Sequence, residues 1–250
     1  MAETILVTGA SAGFGQAICQ RLVADGHRVI GAARRIEKLQ ALHEELGEAF
    51  YPLQMDVTDL TQVDHALASL PKAWEQIDVL VNNAGLALGL APAQKAEIAD
   101  WLTMIQTNII GLTYLTRQIL PQMVERNDGY VINMGSTAGT VPYPGANVYG
   151  ASKAFVKQFS LNLRADLAGK QIRVTNIEPG LCEGTEFSSV RFKGDEKRVE
   201  ALYRDAHAIQ PEDIANTVSW LIQQPKHVNV NRIEIMPVSQ TFGPQPVYRG

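Results

Sequence analysis

Tyr149 and Lys153 stand four residues apart in the stretch YGASK, with only Gly150, Ala151 and Ser152 between them. Positions i and i+4 share one face of an α-helix, so a phenol and an ammonium would project into the same space. A phenol with an ordinary pKa of about 10 is a poor proton donor or acceptor at neutral pH, and a nearby cation that stabilises the phenolate would bring it into range. A solvated pair at a helix start has the same spacing, so the pair needs context from the rest of the chain.

A second constellation lies near the N-terminus. TGASAGFG, residues 8–15, follows the apolar run TILVT and precedes the helical pattern QAICQRLVADG. Glycines at 9, 13 and 15 permit a tight turn and a close backbone approach to a pyrophosphate, which would sit at the helix N-terminus. The spacing G-x-x-x-G-x-G departs from the commonest dinucleotide fingerprint, but its place between strand and helix at the start of a βαβ unit points to a cofactor rather than a plain turn. The second apolar run ends in AARR, with Arg34 and Arg35 where an NAD site places an acid. Guanidinium groups pair bidentately with phosphate, which predicts NADP; arginines that merely begin the next helix are the alternative.

These residues must be positioned by regular elements. Seven short apolar runs, at 4–8, 28–33, 49–55, 78–82, 130–134, 173–177 and 232–236, alternate with helical patterns at 13–25, 35–46, 59–70, 98–125, 148–168 and 211–223. Nearly continuous apolar runs suit strands buried on both faces. The alternation predicts one doubly wound, Rossmann-like α/β domain over residues 1–250, with a seven-stranded parallel sheet and helices on both faces. Ligands in such sheets gather at the carboxyl ends of the strands.

Composition narrows the partners. The formal net charge is −4 and the basic residues are scattered, which argues against nucleic acid. The apolar runs are short, and MAE leads directly into the first of them, so no membrane span or targeting segment is expected and the chain reads as cytoplasmic. Two separated cysteines, Cys19 and Cys182, and five dispersed histidines predict neither a disulfide framework nor a metal site.

Three further stretches complete a pattern: NNAG (82–85) after the fourth run, Gly135-Ser136 after the fifth and EPG (178–180) after the sixth. Together with TGASAGFG and YGASK they resemble the short-chain dehydrogenase/reductase family over essentially the whole chain. NNAGLALG, YGASKAFVKQFSLNLRADL, EPGL and GTEFSSVRFKGD are similar to its NADP-dependent 3-hydroxy acid dehydrogenase subgroup, the L-allo-threonine or serine dehydrogenases. The resemblance implies Tyr149 as general acid/base, Lys153 as the group that lowers its pKa and binds the nicotinamide ribose, Ser136 on the substrate oxygen, and Asn108 supporting a water chain to Lys153. It implies Gly9, Ala10, Ser11, Ala12, Gly13, Phe14 and Gly15 on the pyrophosphate and adenosine ribose, and Arg34 and Arg35 on the 2′-phosphate. Asp56 and Val57 would contact adenine, unless DVTD is only a helix cap. Asn82, Asn83, Ala84 and Gly85 would line the ribose side; Pro179, Gly180, Leu181 and Cys182 would shape the loop over nicotinamide, with Thr185 reaching its carboxamide. Cys182 and Glu183 stand where the family pattern has small or apolar residues.

The implied function is NADP-dependent oxidation of a small 3-hydroxy acid or hydroxy amino acid, or the reverse reduction. A broad NADPH-dependent carbonyl reductase on neutral ketones is the alternative enzyme, and a non-catalytic NADP-binding sensor or scaffold the alternative of another class. A pocket selective for acids should contain a donor that meets the carboxylate, because burying that charge unpaired costs several kcal/mol. The substrate-loop region, about 181–205, contains SSVRFKGD, where Arg191 and Lys193 are the available cations; Arg191 is favoured for its bidentate grip, an exposed loop arginine being the alternative. Glu183 should then face solvent or pair with one of these cations. Segments 98–125 and 148–168 carry apolar residues on more than one face, Phe155, Phe159 and Leu163 along one stripe and Leu161 and Ala165 off it. With the C-terminal PVSQTFGPQPVYRG as a second interface, the resemblance implies a homotetramer.

Overall fold

The structure is a computed structural model and describes residues 2–242. Seven parallel strands, β1 (Thr4–Thr8), β2 (Arg28–Ala33), β3 (Phe50–Gln54), β4 (Val79–Asn82), β5 (Gly129–Met134), β6 (Ile172–Pro179) and β7 (Arg232–Ile235), form one sheet in the order β3-β2-β1-β4-β5-β6-β7. The period-2 alternation of side chains divides each strand between two cores. Ile5 and Val7 of β1 face a core completed by Ile18 and Leu22 of α1 (Gly13–Ala24), Leu39 of α2 (Ile36–Leu46) and Val218 of α9 (Pro211–Gln223). Leu6 faces the opposite core, with Val63 of α3 (Leu60–Ala68), Leu115 and Ile119 of α5 (Leu112–Arg126) and Leu163 of α6 (Asn147–Asp166). Each such fully buried aliphatic side chain contributes about 1.5–3 kcal/mol. All seven expected strands are present, in the doubly wound order.

The strand order reverses between β1 and β4, which opens a crevice outside their carboxyl ends. The glycine turn and the NNAG segment both emerge there and are tied together. The Thr8 hydroxyl accepts from the amides of Asn83 (3.0 Å) and Ala84 (2.9 Å), and the Asn83 carboxamide donates to the Thr8 carbonyl at 2.8 Å.

The segment expected as one helix over 98–125 is three pieces: α4 (Ile98–Ile105), a π-helical turn (Gln106–Gly111) and α5. Apolar residues continue through the junction, so periodicity alone could not show it. Packing does: a Cβ on Gly111 would lie 2.6 Å from the Val57 carbonyl oxygen, so the turn fits against the loop after β3 only with glycine there. Two short helices, α7 (Phe187–Arg191) and α8 (Glu196–Tyr203), escape the sequence reading because the KGD turn between them interrupts their period. The Asp195 carboxylate of that turn caps α8 by accepting from the Arg198 amide at 3.2 Å. Both helices lie in the expected substrate-loop region. The expected C-terminal interface falls partly on residues 243–250, outside the described residues.

Candidate active site

A cleft of about 610 Å³ runs along the carboxyl ends of the strands, from Arg34 and Arg35 past the glycine turn to Ser136, Tyr149 and the 181–205 region. Ser136 follows β5, where its hydroxyl accepts from the Ala138 amide at 3.1 Å and caps a short 3₁₀ turn, Thr137–Gly139. Tyr149 and Lys153 lie in the first turns of α6 and both are buried. Burial pushes the Tyr149 phenol up to about 12, against the pull of the Ser136 hydroxyl beside it and the Arg191 guanidinium. Burial also pulls the Lys153 ammonium down to about 8. Its Nζ donates to the Met134 carbonyl at 2.8 Å and sits 5.9 Å from the centre of the Tyr149 ring.

Asn108 sits in the π-helical turn with both of its carboxamide N–H groups committed. It accepts from the Leu86 amide (2.9 Å) and donates to the Leu86 carbonyl (2.9 Å) and the Ser152 hydroxyl (3.1 Å). Its side chain thus fixes Leu86, just after the NNAG segment, against α6. A Cβ on Gly85 would lie 3.2 Å from Asn108 Oδ1 and 3.3 Å from Lys153 Nζ, so glycine keeps the space between them open.

The cofactor end fits a dinucleotide. Gly9 has a left-handed φ of 68°, and a Cβ on Gly15 would strike the Gly9 carbonyl oxygen at 2.2 Å. The helix α1 starts without a side-chain cap at Ala12 and without an acid in its first turn, leaving its first N–H groups for an anion. Gly9, Ser11, Ala12, Gly13 and Phe14 line the cleft; Ala10 is fully buried in the core, and Gly15 is buried behind the turn. Arg34 is exposed, whereas Arg35 donates to the Ser11 hydroxyl at 3.0 and 3.2 Å. Asp56 and Val57 line the cleft, and Asp56 Oδ1 accepts from the Thr58 amide and hydroxyl. The α3 cap is Asp59 instead. Asn83, Ala84 and Gly85 line the cleft, but Asn82 does not. It points into the protein and donates to Thr116 (2.9 Å) and Asn133 (2.8 Å), because as the last residue of β4 it faces the helix layer.

Pro179, Gly180, Leu181, Cys182 and Thr185 line the far wall. A Cβ on Gly13 would lie 3.0 Å from the Thr185 side chain, so this segment closes directly over the glycine turn. Arg191, at the end of α7, donates to the Tyr143 hydroxyl at 2.8 Å and lies 5.5 Å from the centre of the Tyr149 ring. Lys193 is taken by Asp100 at 2.8 Å. Glu183 pairs with neither cation: it accepts from the Gln210 carboxamide at 2.6 Å, since its backbone is held against Ile209 beside that residue.

A family model for short chain dehydrogenases matches residues 3–196. The chain belongs to the short-chain dehydrogenase family. The dehydrogenase is 58% identical to the NADP-dependent 3-hydroxy acid dehydrogenase YdfG of Salmonella typhimurium, over 98% of this chain and 99% of that protein. It is 53% identical to the serine 3-dehydrogenase of Rhizobium radiobacter, over 100% and 99%. Among solved structures, the closed form of a serine dehydrogenase complexed with NADP+ superposes with a TM-score of 0.97 at 56% identity, covering 99% of this chain and 100% of that one.

Several groups of the dehydrogenase site carried no signal in the sequence. Tyr143, Pro144, Phe187, Tyr203 and Gln240 line the cleft from separate elements. Gln240 accepts from the Leu181 amide at 2.7 Å and would collide with any side chain on Gly180, so the chain beyond β7 supports the loop after β6. Tyr203 donates to the Cys182 carbonyl at 2.7 Å, tying α8 to the same loop. Among the described residues no cluster of three His, Cys, Asp or Glu side chains could hold a metal, and no helix is long and apolar enough to cross a membrane.

Proposed function

We propose that this dehydrogenase moves a hydride between NADP and the 3-hydroxyl, or 3-oxo, group of a small 3-hydroxy acid such as serine, allo-threonine, 3-hydroxybutyrate or 3-hydroxypropionate. The observation that carries the acid specificity is Arg191, half-buried and 5.5 Å from the Tyr149 ring, while Lys193 is spent on Asp100. A carboxylate on that guanidinium leaves the carbon two bonds away close to the phenol. The likeness to 3-hydroxy acid and serine dehydrogenases supports the same substrate class.

NADP, when bound, supplies or accepts the hydride. The glycine turn and the N-terminus of α1 would hold its pyrophosphate, Arg34 and Arg35 its 2′-phosphate, Asp56 and Val57 its adenine, and Asn83, Lys153, Pro179, Gly180 and Thr185 the nicotinamide half. The chain's own groups handle the proton. The Tyr149 phenol, neutral in the free protein, protonates the substrate oxygen in reduction and as phenolate accepts the hydroxyl proton in oxidation. Ser136 hydrogen-bonds the same oxygen and stabilises charge developing on it. Lys153, together with the positive nicotinamide of the oxidised cofactor, would stabilise that phenolate, and Asn108 would support a water chain to Lys153. The apolar walls, Phe187, Val190 and Leu202 among them, exclude water from the reaction.

A homotetramer and a cytoplasmic location complete the proposal. Ile98, Leu102, Phe155 and Leu161 are exposed apolar side chains on α4 and α6, and both cysteines are unpaired, Cys19 in the core, as suits a reducing compartment.

The test is steady-state oxidation with NADP, comparing serine and 3-hydroxybutyrate with a neutral secondary alcohol, in the parent and in Arg191→Met. Tyr149→Phe gives the floor for all substrates. The expected outcome is a loss in kcat/KM of about 2 kcal/mol, roughly 30-fold, on the acids alone. A uniform loss would confine Arg191 to shaping the lid, and better turnover of neutral substrates by the parent would favour a general carbonyl reductase.

A further inference from the structure

Arg35 lies at the cofactor end of the cleft, yet a carboxylate from the opposite wall already grips it. Glu186, which precedes α7, accepts from Arg35 Nη1 at 3.1 Å and from Nη2 at 2.9 Å, a fork-on-fork pair. The Lys38 ammonium, one turn further along α2, donates to the same carboxylate at 3.1 Å. The remaining edge of the guanidinium, Nε with Nη2, is spent on the Ser11 hydroxyl. Glu186, Arg35 and Ser11 all line the cleft, and Arg34, exposed, is the neighbouring cation with no ion-pair partner among the described residues. The carboxylate is held below the usual range, first by the Arg35 hydrogen bonds, so it is charged at neutral pH.

We propose that Glu186 is a specificity-determining residue for the cofactor's 2′-substituent, an anionic latch that competes with the 2′-phosphate for Arg35 and Lys38. The inference rests on the reading above that this phosphate meets Arg34 and Arg35. Of the five donors on Arg35, four are already committed, so a phosphate reaching it must share the guanidinium with a carboxylate or displace it. Arg34, Arg35 and Lys38 less Glu186 leave a net charge of +2, a match for a phosphate dianion; without Glu186 the excess would be +3. The carboxylate thus lets the lid close over a cationic cluster, at a cost to phosphate affinity. A cofactor with a bare 2′-hydroxyl places no charge there and does not compete with Glu186 for Arg35 and Lys38.

The experiment measures Kd for NADPH and NADH by nicotinamide fluorescence, without substrate, in the parent, Glu186→Gln and Arg35→Met. Glutamine keeps the shape of the side chain and can still accept hydrogen bonds from Arg35. The expected result for Glu186→Gln is NADPH binding at least about fivefold tighter, with NADH within about twofold, the difference shrinking as salt is raised. NADPH binding that weakens would mean that Glu186 holds Arg35 in place for the phosphate, and an equal change for both cofactors would make it a lid contact only; either overturns the proposal. Arg35→Met separates the two levels. A loss selective for NADPH upholds the phosphate site whatever Glu186 does, whereas equal losses remove the phosphate from Arg35 and defeat both readings.

Discussion

Lys153 and Tyr149 are displaced from their ordinary pKa values in opposite directions by one cause, the removal of water from both. That shared burial makes the pair measurable in the fold's stability. Lys153 is lowered from 10.5 to about 8, so between those values the unfolded chain holds a proton that the folded chain has lost. Stability must then rise with pH across that window and be flat, for this group, below it. Tyr149 works the other way: from 10 to about 12 the folded chain keeps a proton that the unfolded chain loses, and stability falls. The expected outcome in urea unfolding of the cofactor-free protein is a gain from pH 8 to 10 that Lys153→Met lacks. Parallel stability curves for parent and variant would show that Lys153 keeps an ordinary pKa.

At the scale of elements, the glycine turn between β1 and α1 acts as a fitted joint. The Gly9 carbonyl lies where a Cβ on Gly15 would go, and the Asn83 carboxamide, itself tied to Thr8, presses on the same spot at 2.7 Å. Gly15→Ala must therefore push apart two strand ends that the cofactor needs together. An overpacking cost of about 1–3 kcal/mol is expected, read as a lowered Tm, together with weaker NADPH binding. An unchanged Tm would mean that the turn relaxes freely and is not a joint. The π-helical turn serves a similar purpose: by inserting one residue between α4 and α5 it brings Asn108 to Leu86 and Ser152, linking the strand-end segment to α6.

For the whole molecule, α4 and α6 present Ile98 at 64% and Leu102 at 59% exposure beside Phe155 and Leu161, an apolar face that a single chain leaves in water. Phe155 stacks on Phe159 at 5.9 Å, which stiffens one edge of it. Light scattering at micromolar concentration should give about four times the chain mass, and Leu102→Glu with Phe155→Glu should lower it. A monomeric parent would require another explanation for this face.

The parallel sheet, the glycine turn and the Tyr149–Lys153 pair were legible in the sequence because each is a local pattern: apolar runs of strand length, glycines where the backbone must turn or close up, and an i, i+4 spacing that a helix turns into a shared face. The sequence also showed which cations could meet a 2′-phosphate or a carboxylate. Tertiary structure decided which of them are free to do so. Lys193 went to Asp100 and Arg191 to Tyr143 beside the phenol; Asn82 turned inward to Asn133; Arg35 found Glu186, more than 150 residues away in the chain. These outcomes depend on the distances between elements, which no local spacing encodes. The directions of the Tyr149 and Lys153 pKa shifts in the cofactor-free chain belong with them, because the proximity of the two groups could be read from spacing, but the burial that shifts them exists only in the folded chain.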